Sequence, residues 1–261
     1  MSQFLGVLRH EYKMAVKRPG MWIAYGVLYV FYAFTVFMPD ELGKGFPANR
    51  AEMWQYAAFS VFYVNMFMII LGGILAADRL QRDFRLGVRE LQQSSPLGSG
   101  KYLMAKYLGV LTAVSLPMFL YLTVWALVNV AFGSPPVYLL VMWLVFLVMG
   151  VPAYAFVVAF SLACPLFMPV RVYQVLFVGY WFWGNYLSPD VFPTISNTLL
   201  VPSGKYARHG FFGGFPSVYT NYESTSIATM DAVLNLILLI GIPLLVLLIT
   251  NLVLRRQARQ Q

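Results

Sequence analysis

The sequence predicts an all-helical integral membrane protein built as one domain with six transmembrane helices, and three observations carry that reading. Of 261 residues, 60% are apolar or aromatic and only 11% are charged, whereas soluble globular domains carry about a quarter charged residues. The mean hydropathy of +0.69 leaves too little polar surface to face water. The apolar residues also fall in continuous runs, whereas the strands of a membrane barrel alternate. A soluble enzyme and a DNA-binding protein are excluded on these grounds. The single cysteine, Cys164, excludes an internal disulfide and a cysteine-built metal cluster. His10 and His209 leave no histidine pair to hold a haem within a bundle.

Residues 4–18 form the first element, an amphipathic helix. Leu5, Leu8, Tyr12 and Val16 share one stripe, with Arg9, Lys13 and Lys17 on the next at four-residue spacing. Such a helix lies in the headgroup plane with its basic stripe towards anionic lipid. It acts at least as an anchor, and a stronger reading makes it a lever on the first span. Charges persist through Arg18, and Pro39-Asp40-Glu41 follows the first span, a pattern unlike a cleavable signal peptide.

A helix rising about 1.5 Å per residue needs roughly 20 apolar residues to cross a hydrocarbon core about 30 Å thick. The first span is set at residues 22–38 and the second at 54–77, the latter free of charge throughout. From Tyr107 to Val170 there is no Asp, Glu, Lys or Arg, and Gly133-Ser134-Pro135-Pro136 divides this run by its turn chemistry. The third and fourth spans are therefore 107–132 and 137–163. A link with Pro165, Pro169 and Arg171 leads to the fifth at 172–187, and the sixth is 232–254.

Six spans place both termini on one side. The segments of that side carry fourteen of the Lys and Arg residues, against four on the other. Basic short loops stay in the cytoplasm, so both ends are expected there. The net charge of +8 is thus a topology signal, and a nucleic-acid partner is not needed to account for it.

The loop from Asp78 to Lys106 holds six basic and three acidic residues and exceeds the roughly 2–8 residues of a minimal helix connection. Asp78 to Arg85 is expected to continue the second span helically into water. Gly87 and the stretch Ser94 to Gly100 break the helix, and Lys101 restarts it. The loop reads either as a solvated topology determinant or as a docking surface for a cytoplasmic protein. Gly98-Ser99-Gly100-Lys101 mimics the end of a phosphate-binding loop, but Ser95 and Tyr102 stand where that motif needs Gly and Ser or Thr.

Arg85-Leu86-Gly87-Val88-Arg89-Glu90-Leu91, Ser95-Pro96, Lys101-Tyr102-Leu103 and Lys106-Tyr107-Leu108 together resemble the loop between the second and third spans of ATP-binding-cassette (ABC) type-2 exporter permeases. Glu11-Tyr12-Lys13 with Lys17-Arg18-Pro19-Gly20 is similar to the entry helix of that family. Gly87-Val88 departs from the Gly-Thr pair usual there. The resemblance extends over the whole chain in span count, loop lengths and orientation.

It implies a permease that pairs with a second, identical or homologous permease and sits on two cytoplasmic ATPase subunits, which bind the ATP and Mg2+. The chain itself would carry no nucleotide-binding domain, no cofactor and no catalytic residue. It would lie in the bacterial plasma membrane and move an amphipathic or lipid-like cargo outward. The coupling helix would span residues 82–92, with Arg82, Asp83, Arg85, Arg89 and Glu90 meeting the ATPase. The interfacial helix, bearing Arg9, Glu11, Lys13 and Lys17, would lie beside it. The family's second and fifth spans approach the dimer axis, which makes Phe62, Asn65, Met66, Gln174, Trp181 and Asn185 the candidate cargo path. Ordinary packing is the competing reading of each of these six.

The connection from Ser188 to Met230 carries four prolines among the apolar residues Val191, Phe192, Leu199 to Val201, Phe211, Phe212 and Phe215. Non-helical backbone at membrane depth must be shielded by protein or line a cavity. Two re-entrant helices near 191–200 and 217–230, or a compact cap, both meet that requirement. The spans contain no ionisable Asp, Glu, Lys, Arg or His, which disfavours a proton-coupled pump or a charged ion filter. No zinc-protease or serine-hydrolase motif occurs. The rivals to an exporter are a membrane scaffold or sensor that recruits a partner through the same loop, and an ATP-independent carrier.

Overall fold

A computed structural model describes residues 2–36, 50–87, 97–187, 189, 191–213 and 227–259, and among these no strand occurs. The chain is all-helical. Helix α1 (Ser2–Val16) turns at Lys17-Arg18 into α2 (Pro19–Val36), whose leading proline suits a first helical turn. Helix α3 (Arg50–Ala76) is followed by a turn at Ala77-Asp78 and the short α4 (Arg79–Arg85). Helix α5 runs from Ser99 to Ala131, and α6 (Tyr138–Val145) passes through a π-helical turn (Phe146–Gly150) into α7 (Val151–Ala163). A 3-10 turn (Cys164–Leu166) leads to α8 (Val170–Asn185), and α9 (Lys205–Phe212) precedes α10 (Thr229–Arg259).

Among the described residues four helices are long and apolar enough to cross a membrane: 52–83, 99–131, 138–166 and 229–256. Helices α2 and α8 are equally apolar in character but have 18 and 16 residues. The outward faces of α2, α8 and α10 present Ile23, Val27, Phe34, Val175, Ile237 and Leu244 uncovered, as a lipid-facing surface does.

Helix α3 is the centre of the bundle and touches α2, α5, α6, α7, α8 and α9. Close approach depends on Gly73, where an added Cβ would lie 2.4 Å from Cε1 of Phe177 on α8. Two tyrosines of α2 bond the backbone of α5 around Pro117: the Tyr29 hydroxyl donates to the Pro117 carbonyl at 2.6 Å and Tyr25 donates to the Val114 carbonyl at 3.0 Å. The π-turn has a local cause. Pro152 has no N–H to give the carbonyl four residues back and its ring would crowd that carbonyl, so the backbone widens just before it.

The hairpin turn at residues 132–137 and the left-handed Gly87 (φ 66°) fall where the sequence puts them, and the helix expected to restart at Lys101 begins two residues earlier, at Ser99. Two expectations are corrected. The second span continues helically past the Ala77-Asp78 turn as expected, but not wholly into water, because Arg79 and Leu80 are buried while Arg82 is exposed. Residues 191–200 are turns and not a re-entrant helix: the Thr198 hydroxyl bonds the Ile195 carbonyl, the Ser196 hydroxyl bonds the Leu187 carbonyl, and Thr194 accepts from the Ser196 N–H. Such local bonds compete with helix formation. Among the described residues between α8 and α10 the helix is α9, downstream of the 191–200 stretch expected to form one. Most of 217–230 lies outside the described residues, apart from the start of α10.

Candidate functional site

Helix α1 lies along α5, and the contact depends on a missing side chain. A Cβ at Gly109 would stand 2.7 Å from the Leu8 carbonyl oxygen and 2.9 Å from Cβ of Glu11. The glycine lets the two backbones approach closely and delivers Glu11 to the interior, where it is 4% exposed. One helical turn before Gly109, Lys106 is 1% exposed. Its Nζ donates to Oε1 of Glu11 at 2.6 Å and pairs with Oδ2 of Asp83 at 2.7 Å.

Asp83 comes from α4, and the Tyr102 hydroxyl, one turn earlier on α5, also donates to its Oδ2. A second pair stands beside this one. Arg18, after α1, reaches Asp78 at 3.5 Å, and Arg79 Nε lies 3.9 Å from the other Asp78 oxygen. One lysine thus ties three helices together, and the turn between α3 and α4 is pinned to the start of α2. Gln81 adds a bond to the Pro165 carbonyl at 3.0 Å. At the same end of the bundle, Ser99 joins Asn251 and Arg255 of α10.

A buried charge is costly unless paired and hydrogen-bonded. Concentrating Glu11, Asp83, Lys106 and Arg79 here therefore makes the position of each helix dependent on the others. A groove of about 570 Å³ opens between α1, α4 and α5, lined by Glu11, Arg79, Asp83 and Lys106, with His10 and Arg82 exposed at its edge. Among the described residues no group of three or more His, Cys, Asp or Glu is placed to hold a metal.

The sequence-derived residues divide as follows. Arg9, Lys13 and Lys17 are exposed along α1, and Glu11 is the buried member of that set. Arg82 is exposed on α4 while Asp83 is drawn into the network. The side chain of Arg85, and Arg89 and Glu90 altogether, lie outside the described residues. Lys106, Tyr102 and Arg79 are not among the candidate site residues read from the sequence, although Tyr102 and Lys106 stand in the motifs that carry the resemblance. The four-residue spacing of Tyr102 and Lys106 puts both on one face of α5.

The six residues proposed for a cargo path are half-buried or buried in this chain. Trp181 donates to the Met66 carbonyl at 2.9 Å and Gln174 to the Ile74 carbonyl at 3.1 Å, which joins α8 to α3. Asn65 donates to the Ser203 carbonyl at 3.0 Å, and Asn185 accepts from the Ser203 N–H at 3.1 Å. Asn235 of α10 donates to the carbonyls of Leu199 and Val201 at 2.8 and 3.0 Å. These amides hold the turns before α9 at the end of the bundle opposite the ion network. Phe62 carries the Arg208 guanidinium over its ring at 4.7 Å and packs on Tyr186, and Met66 remains half-buried. No protein-family model matches the sequence, and no curated protein matches it.

Proposed function

We propose that the chain is the permease subunit of an ATP-driven exporter of the ABC type-2 kind, with six membrane spans, both termini in the cytoplasm of a bacterial cell and ATP hydrolysed by separate partner subunits. In this reading α2 and α8 are the two shorter spans. Two permeases enclose the pathway, and an amphipathic or lipid-like cargo moves along faces that include Phe62 and Met66. Two cytoplasmic ATPases bind ATP and Mg2+ and dock against α4 and the segment after it.

The observation that carries the reading is Lys106 bridging Glu11 and Asp83 at 2.6 and 2.7 Å. A force applied to α4 from the cytoplasm is passed by that lysine to α5, a helix of 33 residues, and to α1 along the membrane surface. A scaffold that only recruits a partner has no need to fix α4 to a spanning helix through desolvated charge. Arg82 stands exposed on the outer side of the same short helix, where a partner can reach it.

Copurification of the full chain from its own membrane tests the proposal. A stoichiometric ATPase with its own phosphate-binding loop is expected, and Arg82→Glu or Arg85→Glu should abolish cargo-stimulated ATP hydrolysis while the protein stays in the membrane. Recovery without any ATPase, or unchanged coupling in both reversals, would reject it.

A further inference from the structure

Two oppositely charged groups in the groove between α1, α4 and α5 are ion-paired, Glu11 with Lys106 and Arg79 with Asp78, yet each keeps buried atoms that make no hydrogen bond. Arg79 is 4% exposed, its Nε and Nη1 make no hydrogen bond, and the carboxylate paired with it, Asp78, stands 3.9 Å away. Oε2 of Glu11 is likewise buried without a partner, since Lys106 engages only Oε1. Both residues line the same groove. A buried charged donor or acceptor left without a hydrogen bond is unfavourable. A ligand that offers an acceptor to Arg79 and a donor to Glu11 relieves both at once.

The rest of the lining narrows the ligand. Three cations (Arg79, Arg82 and Lys106) face two carboxylates (Glu11 and Asp83), a balance that suits a zwitterion or monoanion over a dianion. Guanidinium N–H groups are strong donors to phosphate oxygens, and the unbonded Nε and Nη1 of Arg79 each offer one such contact. The other walls are apolar, with Val7, Met14, Leu86 and Leu97, and Leu86 is 64% exposed at the rim. Helix α1 carries an exposed Leu5 beside exposed Arg9 and Lys13, the pattern of a helix lying in the headgroup layer.

We propose that this groove binds the headgroup of a phosphatidylethanolamine-type phospholipid, its phosphate on Arg79 and its ammonium on Glu11, with the glycerol end resting on the apolar wall. A choline headgroup has no N–H to give Glu11, and a glycerol headgroup has no cation. The site is independent of transport, because it requires only that this end of the bundle lie at the membrane surface.

The test uses the full chain in nanodiscs of equal parts phosphatidylethanolamine, phosphatidylglycerol and phosphatidylcholine with identical acyl chains, followed by native mass spectrometry of the retained lipid. Phosphatidylethanolamine should be retained over the other two by about tenfold, the scale of one charge-assisted hydrogen bond. Arg79→Gln should remove that retention, and Glu11→Gln should equalise phosphatidylethanolamine and phosphatidylglycerol. Gly6→Phe provides a variant that leaves the ion pairs intact: Gly6 lines the groove, and a Cβ there meets nothing within 4 Å, so the ring fills the space and should expel the lipid. Equal retention of all three lipids, or wild-type retention in both Arg79→Gln and Gly6→Phe, would mean the orphaned atoms bind only water. Soluble glycerophosphoethanolamine, which lacks the acyl chains, should compete only at concentrations far above that of the lipid; displacement at equal concentration would overturn the lipid assignment in favour of a free phosphoethanolamine compound.

Discussion

Replacing Lys106 with Met keeps most of the side-chain volume and removes the charge that two carboxylates share. Removing one member of a buried ion pair costs about 3–5 kcal/mol, because the other member is left uncompensated. Lys106 is 1% exposed, with Glu11 at 2.6 Å and Asp83 at 2.7 Å. Asp83 keeps the Tyr102 hydroxyl, so most of the cost falls on Glu11, whose second oxygen already has no partner. At about 2–4 °C per kcal/mol for chains of this general size, the loss corresponds to an apparent melting temperature lower by on the order of 10 °C.

The half-buried Cys164, the only cysteine in the chain, serves as reporter. Its reaction with a thiol-sensitive dye on heating detergent-purified protein follows unfolding directly. Adding Glu11→Gln to Lys106→Met should recover most of the loss, since a neutral amide carries no stranded charge. A melting temperature within about 2 °C of wild type for the single variant, less than the shift of one kcal/mol, would refute the bridge. So would a double variant less stable than the single.

Two further outcomes are expected from the same geometry. Gly109→Ala should loosen α1 although alanine is the better helix former by about 0.5–1 kcal/mol, because its Cβ would press on the Leu8 carbonyl from 2.7 Å; faster amide exchange confined to Ser2–Val16 is the readout, and a stabilised α1 would contradict the packing. Asn235→Ala should strand the Leu199 and Val201 carbonyls at about 1–3 kcal/mol for each buried orphan; exchange should quicken across residues 199–206 with α1 unaffected, and unchanged protection there would show that the amide is not the clamp.

The helices were legible because lipid leaves so few solutions: charge-free runs such as 54–77 and 107–132 have to be helices, and Gly133 to Pro136 has to be a turn. Helix ends were less legible where charge and packing compete. Tyr102 and Lys106 fall in the helix expected to restart at Lys101, but their polarity suggests a solvated position, whereas Lys106 is buried with Glu11 and Asp83. No local pattern reports that Glu11 and Lys106, 95 positions apart, are partners. The lone acid among the bases of α1 is visible, but its direction follows from Gly109 on another helix. The π-turn is hinted at by Gly150 and Pro152, and the turns at 191–200 by Pro193 and the hydroxyls of Ser196 and Thr198, signals that the apolar content of both regions outweighs.

The widened turn at Phe146–Gly150 sets how the crossing from Tyr138 to Leu166 chooses its neighbours. One additional residue in a helical turn advances everything after it by about 100° around the axis. Helix α6 accordingly meets α3 and α5, whereas α7 also reaches α10 and α4. A single rod is indexed at mid-length, so its two halves answer to different companions. Cutting it in two would achieve the same division only by baring carbonyls to hydrocarbon.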